Sequence, residues 1–372
     1  MTLRNMEDVL DFVRGCTLLA TGGGGEQALG IAKLERALEE SGPIRFVPAS
    51  EVDDAVWTVC PLLMGTISPK PEPEGLTIVP GRQMLQVEAI RYLEEVKGIH
   101  IGAVVPPELG GEATAGAVAS GALVGAAVID GDYAGRAVPE LSQATPCLQG
   151  IPMWPVATVD RFGNRVFIDE CCTAGMCERI GKGLASASYG ISGQAGFLIQ
   201  ADRMKRTVIC GTLSRCLEIG RAIRAAREEG RNPVETIVEV TDAWVLFEGR
   251  VSAKTWEDRE GYTWGEHEFS GTGQYANHAF RIWFKNENHM SWFDGAAYVT
   301  SPDSLAVVDK ETGEPLTNMG IAEGQEVVIL GIRSPEVYRS QEGIEVFGPK
   351  HFDFDVEYRP IESVVGKKGG LA

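Results

Sequence analysis

The sequence predicts an α/β N-terminal domain with a mostly parallel sheet, joined to a β-rich α+β C-terminal domain. Two observations carry that prediction. Helical and strand patterns alternate through the first part of the chain, and after Glu229 the patterns are almost all strand. The domain boundary falls near residues 165–175, with an α/β domain at 1–168 and a helix-then-β domain at 169–365.

Taken in order, Met6, Val9, Leu10 and Val13 recur at i, i+3, i+4, i+7, the spacing of an amphipathic helix that Asn5 caps. After four consecutive glycines, residues 26–40 form a second helical pattern with Ile31, Leu34 and Leu38 on one face. Strand patterns follow at 44–47 and 56–64. Leu85, Ala89, Tyr92 and Leu93 then mark another amphipathic helix before a strand at 101–105. A small-residue helix at 114–125 precedes a strand at 126–129, and this alternation implies βαβ units. In the second part, helical patterns at 176–190 and 213–229 give way to strands at 243–251, 279–285, 305–308, 325–330 and 343–347. Phe280, Ile282 and Phe284 alternate with Arg281, Trp283 and Lys285, as a half-buried strand requires. The last residues, 366–372, are expected to be a frayed tail.

Composition narrows the partners. The 372 residues carry 34 Lys+Arg against 52 Asp+Glu, a net charge of −18 that repels phosphate backbones and anionic lipid. A small-molecule substrate is therefore expected, with no nucleic-acid and no membrane partner. No apolar run approaches ~18 residues, and the first residues have neither signal-peptide nor transit-peptide character. Eight cysteines in a chain of this length are too dilute for a disulfide scaffold, and two of them, Cys171 and Cys172, are adjacent. The expectation is a cytoplasmic protein with reduced thiols, assembled as a homo-oligomer.

The chemistry concentrates where predicted strands end. Open α/β sheets bind ligands at the carboxyl ends of their strands. The strand at 101–105 runs into Pro106-Pro107-Glu108-Leu109-Gly110-Gly111, and the next into Asp130-Gly131-Asp132, Gly135-Arg136 and Pro139-Glu140. A carboxylate beside a second acid can be held protonated while one beside an Arg stays ionised, so this group can divide acid and base roles. Asp130 and Asp132 also suit a hard divalent cation. The competing reading is an Arg136–Glu140 helical pair with Asp caps.

Thr21-Gly22-Gly23-Gly24-Gly25-Glu26-Gln27 opens a helix but lacks the Lys-Ser or Lys-Thr of a P-loop. No ordinary strand precedes a Gly-x-Gly-x-x-Gly with an acid after it, so no nucleotide cofactor is expected. The four glycines are either a nest for a carboxylate or carbonyl, or a sharp loop that needs bare backbone. Cys171, Cys172 and Cys177 lack the paired spacing of a zinc ribbon. Among the five histidines, His289, just after Asn286-Glu287-Asn288, is the one placed to matter.

These residues, with Met64-Gly65, Gly211-Thr212-Leu213-Ser214, Pro302-Asp303 and the closing Gly348-Pro349 to Asp355 and Tyr358-Arg359-Pro360, occur in an order that resembles the S-methyl-thiohydantoin desulfurase family. The resemblance covers about residues 5–362, with two family domains meeting near residue 170. It implies a hydrolase that converts a 2-methylthio-imidazolone with a carboxylate side chain to a hydantoin and methanethiol, in the breakdown of ergothioneine-type sulfur compounds. On that footing Asp130 or Asp132 is the base, and Glu140 or Glu108 the acid or its partner. Arg136 and the Gly22, Gly23, Gly24 and Gly25 loop would hold the substrate, with Glu287 and His289 as second-domain candidates. Two alternatives stay open: a non-catalytic accessory or binding partner of a hydantoinase or oxoprolinase, and a metal-dependent cyclic amide hydrolase. The sequence leaves the metal, the ring substituent and the choice between water attack and cysteine catalysis undecided.

Overall fold

The computed structural model describes residues 1–65, 75–79 and 84–365; the tail expected to fray at 366–372 lies outside them. Two compact units interleave along the chain. The first comprises Met1–Leu10, Gly25–Ser214 and Asp258–Tyr262; the second comprises Asp11–Gly24, Arg215–Glu257 and the residues from Thr263 onward.

The strands of the first unit are β1 (Thr2–Leu3), β2 (Ile44–Val47), β3 (Trp57–Gly65), β4 (Ile101–Val104), β5 (Ala127–Ile129), β6 (Gly131–Asp132), β7 (Val156–Val159), β8 (Arg165–Ile168), β9 (Ile191–Gln200) and β10 (Ile209–Cys210). Eight of them form one sheet in the order β1-β2-β5-β4-β3-β9-β7-β8. β2, β5, β4 and β3 run parallel, the arrangement that the alternation of helices and strands predicts. Antiparallel strands flank them on both sides. β3 is buried along most of its length, so its near-continuous apolar run suits a central position. Helices Leu85–Lys97 and Ala113–Val124 supply the crossovers between its parallel strands. At the entry, the Asp8 N–H donates to Asn5 Oδ1 at 2.9 Å, so Asn5 caps the first helix as expected.

The sequence reading omitted β9, the strand beside β3 at the middle of the sheet. Its Gly193 and Gly196 dilute the strand signal, and they are there for packing. A Cβ at Gly193 would overlap the backbone of Leu85, because the helix Leu85–Lys97 rests directly on this strand.

The second unit holds an antiparallel seven-stranded sheet made of β11 (Trp244–Arg259), β12 (Tyr262–Gly271), β13 (Ala279–Lys285), β14 (Glu287–Phe293), β15 (Ala296–Thr300), β16 (Ser304–Asp309) and β17 (Glu326–Ile332). Their order is β15-β14-β13-β12-β11-β17-β16. Phe247, Phe269, Phe280, Ile282, Val307 and Ile329 fill its core. The expected strand at 343–347 is a correction: these residues lie in the helix Gln341–Phe347. Ser340 caps it by accepting the Gly343 N–H, and Glu342 sits in its first turn, so local capping overrides a short apolar alternation. Residues 233–241, passed over in a stretch read as strand, are likewise helical. Asn232 caps them, and Pro233 occupies the first turn, where its missing N–H costs nothing.

Candidate active site

Two loops at the carboxyl ends of β4 and β5 are fastened to each other by backbone hydrogen bonds. The Leu109 N–H donates to the Arg136 carbonyl at 3.1 Å, and the Tyr133 N–H donates to the Pro106 carbonyl at 3.2 Å. The Thr114 hydroxyl accepts from the Gly110 N–H and donates to the Glu108 carbonyl, which fixes the first loop. In the second loop Asp132 Oδ2 accepts the N–H groups of Ala134 and Gly135 at 2.9 and 2.7 Å. This fold of the backbone aims the Val138 N–H at Glu108 Oε2, 2.8 Å away. Glu108, Asp132 and Arg136 are thereby held at one end of the parallel strands, with Asp132 and Arg136 fully buried.

Burial dominates the electrostatics of this group. It pushes the Glu108 carboxyl up to about 8, helped by the negative charges of Asp132 and Glu178 and opposed by the Val138 N–H and the Arg136 guanidinium. It pushes Asp132 up to about 6, against the Thr212 hydroxyl and the N–H groups of Gly135 and Ala134. Near neutral pH, Glu108 therefore keeps its proton while Asp132 has mostly lost its own. Cys60, on β3, is fully buried, and its thiol is raised well above its usual range by burial first and by Glu108 and Asp132 next.

The other expected acids are differently occupied. Both oxygens of Asp130 are taken by Ser214: Oδ1 accepts the N–H at 2.9 Å and Oδ2 the hydroxyl at 2.6 Å, which ties the β5 exit to the start of the helix Thr212–Glu228. Arg136 donates from Nε to the Ala137 carbonyl. Residues 133–140 are bends and irregular backbone, so Arg136 and Glu140 do not share a helix face. Glu140 begins the short turn Leu141–Gln143, where it accepts the Ser142 hydroxyl. It also lines a cavity of about 390 Å³ with Gly175, Glu178, Arg179, Lys182, Glu260 and Tyr262. Glu178, buried in its wall, accepts the Leu141 N–H at 2.8 Å and the Tyr262 hydroxyl at 2.9 Å, and forms an ion pair with the Lys182 ammonium at 2.9 Å.

In the second unit Gly23 packs against Glu287, one of the residues the sequence pointed to, and Gly22 packs against Asn318. A Cβ at Gly23 would overlap the Glu287 carboxylate, and one at Gly22 would press on Asn318. The backbone carbonyls of Thr21 and Gly22 accept the N–H groups of Asn288 and Asn318, both at 2.8 Å. Gly25 lies in the first unit, where a Cβ would meet Glu112. Gly24 takes a positive φ of 75° beside it. His289 is buried with Nδ1 on the Ser301 hydroxyl, Nε2 on the Lys285 carbonyl and its ring stacked on Phe352 at 4.1 Å. That is the environment of a satisfied core histidine. Among the described residues no group of three or more His, Cys, Asp or Glu is arranged to hold a metal ion, and no helix is long and apolar enough to cross a membrane.

The S-Me-THD-like N-terminal domain matches residues 7–170, and the S-Me-THD-like C-terminal domain matches residues 173–361. The chain belongs to the S-Me-THD-like family. A protein from Chromobacterium violaceum, solved by X-ray crystallography as a structural genomics target, has a TM-score of 0.78 to this S-Me-THD-like chain. The match covers 97% of this chain and 100% of that one at 19% identity, and it shows the fold. No curated protein matches the chain significantly.

Sequence reasoning missed Cys60, Glu178 and the cavity residues of this S-Me-THD-like protein other than Glu140. Glu178 and Cys177 sit in the first turns of the helix Ala174–Ala187, and their neighbours come from far along the chain. Only one signal was present: a Glu beside a Cys on a helix half of whose positions are Gly, Ala or Ser. The Cys177 thiol itself is pushed up to about 12, first by burial and then by Cys171.

Proposed function

We propose that this S-Me-THD-like protein is a hydrolase that takes the methylthio group from an S-methyl-thiohydantoin and releases methanethiol and a hydantoin. The family supports the substrate class. The observation that carries the reaction is the split between two neighbouring carboxyls, one protonated and one ionised at the same pH.

The reacting carbon, C2, is bonded to sulfur and doubly bonded to a ring nitrogen. Asp132 takes a proton from a water as its oxygen bonds to C2, and the C=N electron pair moves to the ring nitrogen. When the tetrahedral intermediate collapses, the C–S bond breaks, Glu108 delivers its proton to the departing sulfur, and the proton left on the C2 hydroxyl passes to the ring nitrogen, which gives the carbonyl and the N–H of the hydantoin. Water has then supplied the oxygen of the new carbonyl, and the Asp132 proton returns the site to its starting state through solvent. The buried Arg136 lowers the cost of the negative charge that Glu108 carries between turnovers. Cys60 is held as a thiol, which favours water over a thiolate as the attacking group.

The test is methanethiol release by the purified protein from a 2-methylthio-imidazolone carrying a carboxylate arm, before and after treatment with a chelator. Release that falls ~10²–10⁴-fold in both Asp132→Asn and Glu108→Gln supports the assignment. No release from the wild type overturns it, and release lost on chelation and restored by a divalent cation moves the reading to metal-assisted hydrolysis.

A further inference from the structure

We propose that the cavity at the start of the helix Ala174–Ala187 is the subsite for the carboxylate arm of the substrate, with Arg179 as the residue that selects it. This rests on the hydrolase reading and adds which part of the ligand is recognised, and where.

The cavity adjoins the acid pair. Val138 donates its N–H to Glu108, Glu140 lines the cavity, and Leu141 donates its N–H to Glu178 in the cavity wall, so the single segment 138–141 borders both. Glu178 in turn raises Glu108 through its charge. A ring whose C2 lies at Glu108 and Asp132 has this cavity as the neighbouring space for a substituent of a few atoms.

Five charged side chains line the cavity, and most of that charge is already used. Glu178 is saturated by the Leu141 N–H, the Tyr262 hydroxyl and the Lys182 ammonium. Lys182 also lies over the Tyr262 ring, 3.0 Å from its centroid. Glu140 is engaged in its own turn. Among the described residues Arg179 has no hydrogen-bond or ion-pair partner, and neither has Glu260 on the hairpin turn beside Tyr262. A guanidinium presents two parallel donors matched to a carboxylate, so an arm ending in one carboxylate is the ligand Arg179 fits. Glu260, of the same sign as that arm, opposes it from the other wall. Arg136 was the sequence's candidate for this task, but it is fully buried and turned back on its own loop.

The two free charges therefore make opposite predictions. Arg179→Gln should raise KM for the carboxylate-armed thiohydantoin by about tenfold or more, the worth of a hydrogen-bonded charge, with kcat little changed. Glu260→Gln should lower KM about two- to fivefold by removing a repulsion across a solvated cavity. Both positions are exposed, so the variants fold, and both should turn over a ring analogue with a methyl in place of the arm as the wild type does. Unchanged KM in Arg179→Gln, or equal losses on the armed and armless substrates, overturns the subsite. Should the wild type release no methanethiol, the hydrolase reading fails. Calorimetric binding of a hydantoin with a propionate arm to wild type and Arg179→Gln then decides the subsite by itself: weaker binding in the variant supports it, and equal or absent binding overturns it.

Discussion

Replacing Glu108 by Gln tests the acid–base division at its origin, because the amide keeps the size of the side chain and its acceptance of the Val138 N–H while removing the titrating proton. In the folded protein this carboxyl titrates at about 8, against an ordinary value of 4.5. Across that interval the folded state holds a proton that the unfolded chain has released. The stability it contributes is fully present below about pH 4.5 and is lost as pH rises through about 8. For a fully desolvated carboxyl that interval is worth about 5 kcal/mol, at ~1.4 kcal/mol per pH unit. Glu108 keeps some contact with solvent, so the measurable loss is about half of this, ~2–3 kcal/mol. Urea denaturation from about pH 5 to about pH 9 reads it directly: the stability of Glu108→Gln relative to wild type should grow by ~2–3 kcal/mol over the range. In turnover, wild-type kcat/KM should rise with pH through about 6 as Asp132 ionises and fall above about 8 as Glu108 loses its proton. Glu108→Gln should lose the alkaline fall along with most of the rate. Parallel stability curves, or a variant that keeps both the wild-type rate and the alkaline limb, would refute the reasoning.

Three further outcomes follow from the same structure. Cys60→Ala should keep kcat within the wild-type order of magnitude, because the thiol is held protonated; loss of a covalent nucleophile would instead abolish methanethiol release in a single-turnover assay. Asp303→Ala should cost about 3 kcal/mol or more in denaturant and expose the C-terminal segment to protease. The reason is that this buried carboxylate accepts the Ser334 and Ile361 N–H groups and the Tyr358 hydroxyl, each at 2.9 Å. Gly220→Ala should lose ~1–3 kcal/mol by thermal melting, since a Cβ there overlaps the Asp11 carbonyl where two helices cross, and Gly15 makes the matching approach to Cys216.

Much of the fold was legible because its signals are local. The period of Met6, Val9, Leu10 and Val13, the Asn5 cap and the apolar run of β3 each decide their own element. What escaped is decided by contacts between distant segments. β9 carries glycines because a helix presses on it, and a glycine-bearing stretch read alone looks like a loop. The helix Gln341–Phe347 is set by the Ser340 cap, whose hydroxyl accepts the Gly343 N–H, and this outweighs five residues of apolar alternation. In the same way the glycines at 22 and 23 read equally well as an anion nest and as bare backbone, and only the fold shows that Asn318 and Glu287 fill the space a Cβ would take at each.

The candidate site shows the same limit more sharply. In the sequence Glu108, Asp130, Asp132 and Glu140 are four acids near two strand ends, and nothing in their spacing ranks them. Their roles diverge through the number of donors each receives and the water each keeps. Asp130 has both oxygens filled by Ser214, and Glu140 caps its own turn. Asp132 is buried, but with two N–H groups on one oxygen and the Thr212 hydroxyl nearby. Glu108 receives one backbone N–H while facing Asp132 and Glu178, which is why its carboxyl is pushed up to about 8, above the value of about 6 for Asp132. Two of these determinants, Glu178 and Thr212, lie some seventy and a hundred residues beyond Glu108 and come from separate helices. Two carboxyls that titrate about two pH units apart, made from chemically similar side chains, are thus a product of the assembled first unit. A substitution at Glu178 should therefore move the pH profile of Glu108 without touching the substrate ring.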